Sequence, residues 1–90
     1  MLLDHAPDRG LRLLERRARE VANPATRPKG MDPYEVADFQ DCLGDHAWEL
    51  GEKELAIRAW KQAQGFDEED DFYGRKALAA EQGRNPLMVE

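Results

Sequence analysis

Cys42 and His46 stand one helical turn apart, a spacing that can set a thiolate and an imidazole on one metal ion or pair them as nucleophile and base. Asp38 and Asp45 lie close enough in sequence to add oxygen ligands. No third nitrogen or sulfur ligand follows at a helical interval, however, and both residues fall among positions expected to pack. The expectation is therefore a small buried thiol and a part-exposed imidazole, with no metal, no cofactor and no catalytic residue. His5 lies in a terminus with no periodic pattern and supports no site. The chain also lacks a phosphate-cradling glycine loop, a Gly-x-Ser-x-Gly elbow and a His-Glu-x-x-His pair.

A second set of residues has chemistry of another kind. Asp38, Asp41, Asp45, Trp48 and Glu49 recur at i, i+3, i+7, i+10 and i+11, which places four carboxylates and an indole on one face of a helix. Such a face attracts a basic segment and can add a cation–π contact. The simpler alternative is a solvated acidic stripe; a third is occupation of the face by the arginine-rich first helix. Arg9, Arg12, Arg16 and Arg19 spiral along that helix, but no aromatic residue is interleaved and the body of the chain would repel phosphate. Nucleic acid is not an expected partner, and Glu15 and Glu20 are the arginines' natural neighbours.

The elements that must position these faces follow from composition. Of 90 residues, 41% are hydrophobic and 36% charged, with a net charge of -6. Ala, Leu, Glu and Arg dominate while Val and Ile are scarce, which favours helices over sheets. Residues 1–30 carry seven basic and four acidic side chains, and residues 31–90 carry six basic and fifteen acidic. One cysteine excludes a disulfide framework within the chain. No run approaches the ~18 apolar residues of a membrane span, and the first residues lack the basic lead and apolar core of a secretory signal. A cytoplasmic location is expected, with no membrane partner.

Leu11, Leu14, Ala18 and Val21 predict a basic helix over 8–22, stopped by Asn23-Pro24. Residues 23–31 form a loop. Asp32, Pro33 and Glu35 are a helix entry, and Val36, Phe39, Leu43, Ala47 and Leu50 its apolar stripe, ended by Gly51. Leu55, Ala56, Ala59, Trp60 and Ala63 predict a third helix closed by Gly65. A capping helix over 70–82 uses Phe72, Tyr73, Ala77, Leu78 and Ala80, and 83–90 is left as a mobile tail. The fold class expected is all-α, a single domain of about four helices.

The span 32–66 contains a more specific pattern. Leu43-Gly44, then Gly51 at the turn, Ala56 twelve residues after Gly44, an aromatic at Trp60 and Ala63 three beyond it resemble one tetratricopeptide repeat running over 37–70. Gln40 stands where that repeat has Trp, Ala47 where it has Tyr, and Glu68 where it has Pro. Residues 8–22 resemble the second helix of a preceding repeat, and 70–82 a following or capping helix. The resemblance implies antiparallel helix pairs, as a short α-solenoid or compact bundle. It also implies a non-catalytic protein–protein interaction role, with Asp38, Asp41, Asp45, Trp48 and Glu49 lining a groove for a protein or peptide partner, basic by charge. Because one repeat leaves apolar faces uncovered, the alternative is a small structural subunit that forms a homo-oligomer or packs into a larger complex.

Overall fold

The computed structural model describes residues 6–88. Four helices follow one another: α1 (Ala6–Ala22), α2 (Pro33–Glu49), α3 (Lys53–Phe66) and α4 (Phe72–Glu81), with a 3-10 turn at Pro86–Met88. No strand is present among the described residues, and the fold is all-α. Each helix packs chiefly on its neighbours in sequence, giving a slab of 40 × 30 × 16 Å.

Local sequence explains most of the helix ends. Asp32 caps α2 through a bond from the Glu35 N–H of 2.9 Å, and the Glu35 carboxylate accepts the Asp32 N–H in return, a reciprocal box with Pro33 at the first helical position. At the other end Gly51 takes φ +82°, so that the Glu52 N–H reaches the Ala47 carbonyl at 2.8 Å and the chain reverses into α3. Gly83, at φ +78°, does the same after α4. The loop after α1 is tied down by Arg27, whose guanidinium donates to the Val21 and Ala22 carbonyls and lies 5.5 Å from the Phe66 ring centre.

Several expectations are corrected. Gly65 does not close α3, which runs on to Phe66; the Gln64 amide holds the following turn by donating to the Asp67 and Asp70 carbonyls. The helix expected over 70–82 begins at Phe72, because the Asp70 side chain accepts the Phe72 N–H and holds 67–71 as turns. Residues 83–88 are not a loose tail: Pro86 is buried and Asn85 accepts the Leu87 N–H. Leu50 and Leu78, placed on apolar stripes by spacing, are exposed.

The interior is built from small residues around one large one. Leu43, Ala47, Ala56, Ala59, Ala77 and Ala80 surround Trp60, which is wholly buried. An indole buries ~150–250 Å², worth about 4–6 kcal/mol at ~25 cal/mol per Å². Room for it exists only because Gly44 has no side chain. A Cβ there would meet the Trp60 Nε1 and lie 2.7 Å from Cδ1 and Cε2. Gly65, by contrast, has open space around it and an ordinary helical backbone.

The same substitution at these two glycines is expected to have opposite signs. Gly44→Ala gains about 1 kcal/mol of helix propensity but overpacks a rigid buried ring, and should lose about 1–2 kcal/mol net in urea unfolding. Gly65→Ala should gain about 0.5–1 kcal/mol. A stabilised Gly44→Ala would contradict this account of the core.

Candidate functional site

The acidic residues of α2 gather at its contact with α4. Two bonds there join residues the same distance apart in sequence, Tyr73 Oη donating to Asp38 at 3.1 Å and Lys76 Nζ to Asp41 at 2.8 Å, each pair separated by 35 positions; Tyr34 Oη donates across the same separation to Glu69, in the turn before α4, at 3.2 Å. A constant offset along two helices means that they run parallel, in one register, with α3 returning the chain between them. The Asp38–Asp41 step of three on α2 is answered by the Tyr73–Lys76 step of three on α4.

Lys76 is the centre of the cluster and only 5% exposed. Its ammonium also donates to Asp45 at 2.9 Å, lies 4.7 Å from the Phe72 ring centre and 5.8 Å from that of Trp60. Asp45 Oδ1 accepts the Trp60 indole N–H as well, at 3.3 Å. Trp48 is half-buried, its ring centre 6.3 Å from that of Trp60. One cation thus serves two carboxylates and two aromatic faces, linking α2, α3 and α4.

Titration follows from that geometry. Burial works to lower the Lys76 pKa, but the hydrogen bonds and charges of Asp41 and Asp45 outweigh it and hold the ammonium above its ordinary value. Burial raises the Asp41 pKa, and the neighbouring Asp45 and Asp38 add to this, exceeding the lowering effect of Lys76. Burial and the bond to Asp38 push the Tyr73 phenol far above its ordinary value.

Of the five residues expected on one binding face, Asp38 and Glu49 are exposed, whereas Asp41 and Asp45 are turned onto Lys76 and Trp48 onto Trp60. Asp38, Asp41 and Asp45 take their hydrogen bonds from Tyr73, Lys76 and Trp60, on α3 and α4; the arginine-rich helix has acids of its own, Arg17 pairing with Glu20 at 3.3 Å and Arg12 with Glu15 at 3.9 Å. Leu43, Gly44, Ala56, Trp60 and Ala63 all lie in the interior, and Gly51 forms the α2–α3 turn.

Cys42 corrects an expectation: it is exposed rather than buried, because α2 turns its other sides to α1, α3 and α4. Partial desolvation and the Asp41, Asp45 and Asp38 carboxylates raise its pKa, which keeps the thiol protonated and a poor nucleophile. His46 is half-buried one turn away, His5 lies outside the described residues, and no group of three metal-ligating side chains forms among the described residues.

Lys76, and the bond from the Tyr73 hydroxyl to Asp38, were missed by sequence reasoning. The available signal was a lysine inside the apolar stripe Tyr73, Ala77, Ala80, one turn from a tyrosine and facing a chain with an unneutralised acidic stripe. Comparison of the chain with protein-family models, curated proteins and solved structures returned no match. No helix among the described residues is long and apolar enough to cross a membrane.

Because the folded-state pKa values of Lys76 and Tyr73 lie above their unfolded values, their contribution is complete below about pH 10 and is lost as pH rises beyond it. Lys76→Met should cost about 1–3 kcal/mol, less than a fully buried pair because Asp41 and Asp45 keep some solvent. Unfolding midpoints measured from pH 8 to 11 should fall less steeply for Lys76→Met combined with Tyr73→Phe than for the wild type. Parallel profiles would exclude the cluster as the source of the alkaline loss.

Proposed function

We propose that the chain is a non-catalytic protein–protein interaction module built of tetratricopeptide-type helix pairs, which presents the acidic face of α2 to a basic partner segment. The observation that carries this is the constant 35-residue offset of α2 from α4 and from the turn that leads into it. It is the geometry expected when one helix pair is followed by the first helix of another, close to the 34-residue period of the repeat. The α2–α3 pair would be one unit and α4 the opening of the next.

Charge supports the choice of partner. Asp38, Asp41, Asp45 and Glu49 set four carboxylates against the single ammonium of Lys76, so the face stays negative after its internal pairing. Asp38 and Glu49 are exposed, and the Asp45 side chain keeps 38% of its surface. An arginine- or lysine-rich segment would meet these acids, with Trp48 beside them.

A second reading has its own observation. Leu78 is 50% exposed and Met88 76%, with Leu87 also exposed, on α4 and the turn that follows it. Assembly through this end would make the chain a structural subunit instead.

Titration with an arginine-rich peptide, followed by tryptophan fluorescence, tests the first reading. Asp38→Asn with Glu49→Gln should weaken binding about two- to thirtyfold, at about 0.2–1 kcal/mol per exposed charge, and binding should weaken with salt. Equal affinity for an acidic peptide, or no effect of the double variant, would overturn it. For the second reading, light scattering over a tenfold concentration range should give a mass above 10.3 kDa that Leu78→Glu returns to the monomer. A monomer throughout would overturn that reading.

A further inference from the structure

The outer side of α1 carries a basic surface. Arg9, Arg12, Leu13 and Arg16 stand at i, i+3, i+4 and i+7, opposite the buried Leu11, Ala18 and Val21. All four are exposed, Leu13 at 59%. Arg12 is answered by Glu15 at 3.9 Å, whereas Arg9, Arg16 and the exposed Arg19 form no ion pair among the described residues. An exposed leucine among guanidinium groups has the layout of an interface, an apolar centre with a charged rim.

The acidic face of α2 has the same spacing with the opposite charge. Asp38, Asp41, Asp45 and Trp48 step by three, four and three, and so do Arg9, Arg12, Arg16 and Arg19. That pattern reads the same in either direction. Laid parallel or antiparallel, three arginines meet carboxylates and the fourth meets the half-buried Trp48 indole. The charges balance as well. Asp38, Asp41, Asp45 and Glu49 less the Lys76 ammonium leave three negative charges, and the four arginines less Glu15 leave three positive. Within one chain the two faces do not meet, because α1 rests on α2 by its inner side, where Gln40 donates to the Ala18 carbonyl.

We propose that the basic segment is α1 of a second copy of this chain, its arginine side seated on the acidic face of α2. The inference rests on the reading of that face as a docking surface for a basic partner. Guanidinium groups donate to planar carboxylates through paired N–H bonds, which suits them to such a contact. Because the two faces differ, each pairing leaves one of either kind unused, and copies add head to tail.

Light scattering of the full chain, with a thiol reductant because Cys42 is exposed, should show a mass that rises with concentration past twice 10.3 kDa. Salt at about 0.5 M should lower it. Arg9→Glu with Arg16→Glu, or Cys42→Lys with Glu49→Lys, should weaken self-association about tenfold or more. All four positions are exposed, so helix content by circular dichroism should not change. An equimolar mixture of the two variants should associate again, since one keeps α2 native and the other keeps α1 native. Leu78→Glu should leave the mass unchanged. The inference is overturned if either double variant associates as the wild type does, or if the mixture stays monomeric. A wild type that is monomeric at every concentration but binds an arginine-rich peptide overturns the second copy as partner and leaves the acidic-face reading standing. A monomer that binds no such peptide overturns both.

Discussion

An ammonium ion removed from water must be paired, and the position of α4 depends on that requirement. Lys76 projects from the inner side of α4 into a space bounded by Phe72 and Trp60, where an uncompensated charge would be far more costly than any single packing contact could offset. Among the described residues Asp41 and Asp45 are the carboxylates paired with it, and both belong to α2. The pairing therefore fixes the rotation and axial register of α4 against α2, while its parallel direction follows from the two reversals on either side of α3. Apolar packing of Ala77 and Ala80 alone would tolerate sliding by a turn; a bidentate bridge to two fixed carboxylates does not.

The same bridge reaches into the core through Asp45, which accepts both the lysine and the Trp60 indole N–H on one oxygen. Trp60 in turn occupies the slot left by Gly44, so the α2–α3 crossing and the α2–α4 register share one chain of contacts. A change at any of these residues is felt at the others, because charge, hydrogen bonding and volume are coupled at a single point. The surface beyond is left with the surplus of negative charge, and any basic partner would meet that surplus rather than the paired acids themselves. On the other flank of α2, Gln40 holds α1 through a carbonyl while leaving its own oxygen without a partner, so the two sides of one helix differ in chemistry as well as in neighbours.

Much of the fold was legible in the residue order, because its causes are local. Asp32-Pro33 with Glu35, the apolar spacing in α1 and α3, and Gly51 at a left-handed turn act within a few residues of one another. Gly65 misled because glycine marks a helix end only when the chain needs a positive φ, and here the Gln64 side chain, not Gly65, organises the turn. Pro86 lay in a stretch read as a tail, since its burial depends on where the reversal at Gly83 sends the chain.

The acidic stripe was likewise readable as a stripe, since helical spacing alone aligns Asp38, Asp41, Asp45 and Glu49. What each carboxylate faces was not. Lys76, 31 and 35 residues from the two acids it joins, becomes their partner only after α3 has carried the chain back. Residue order by itself determined four helices, most of the apolar residues on their inner faces and the sign of the charge on α2, because those follow from interactions across three or four residues. The tertiary structure decided which of those charges are paired, which thiol and leucines are exposed, and where a buried oxygen is left without a donor. Those outcomes depend on contacts between helices far apart in the chain, whose register no local spacing encodes.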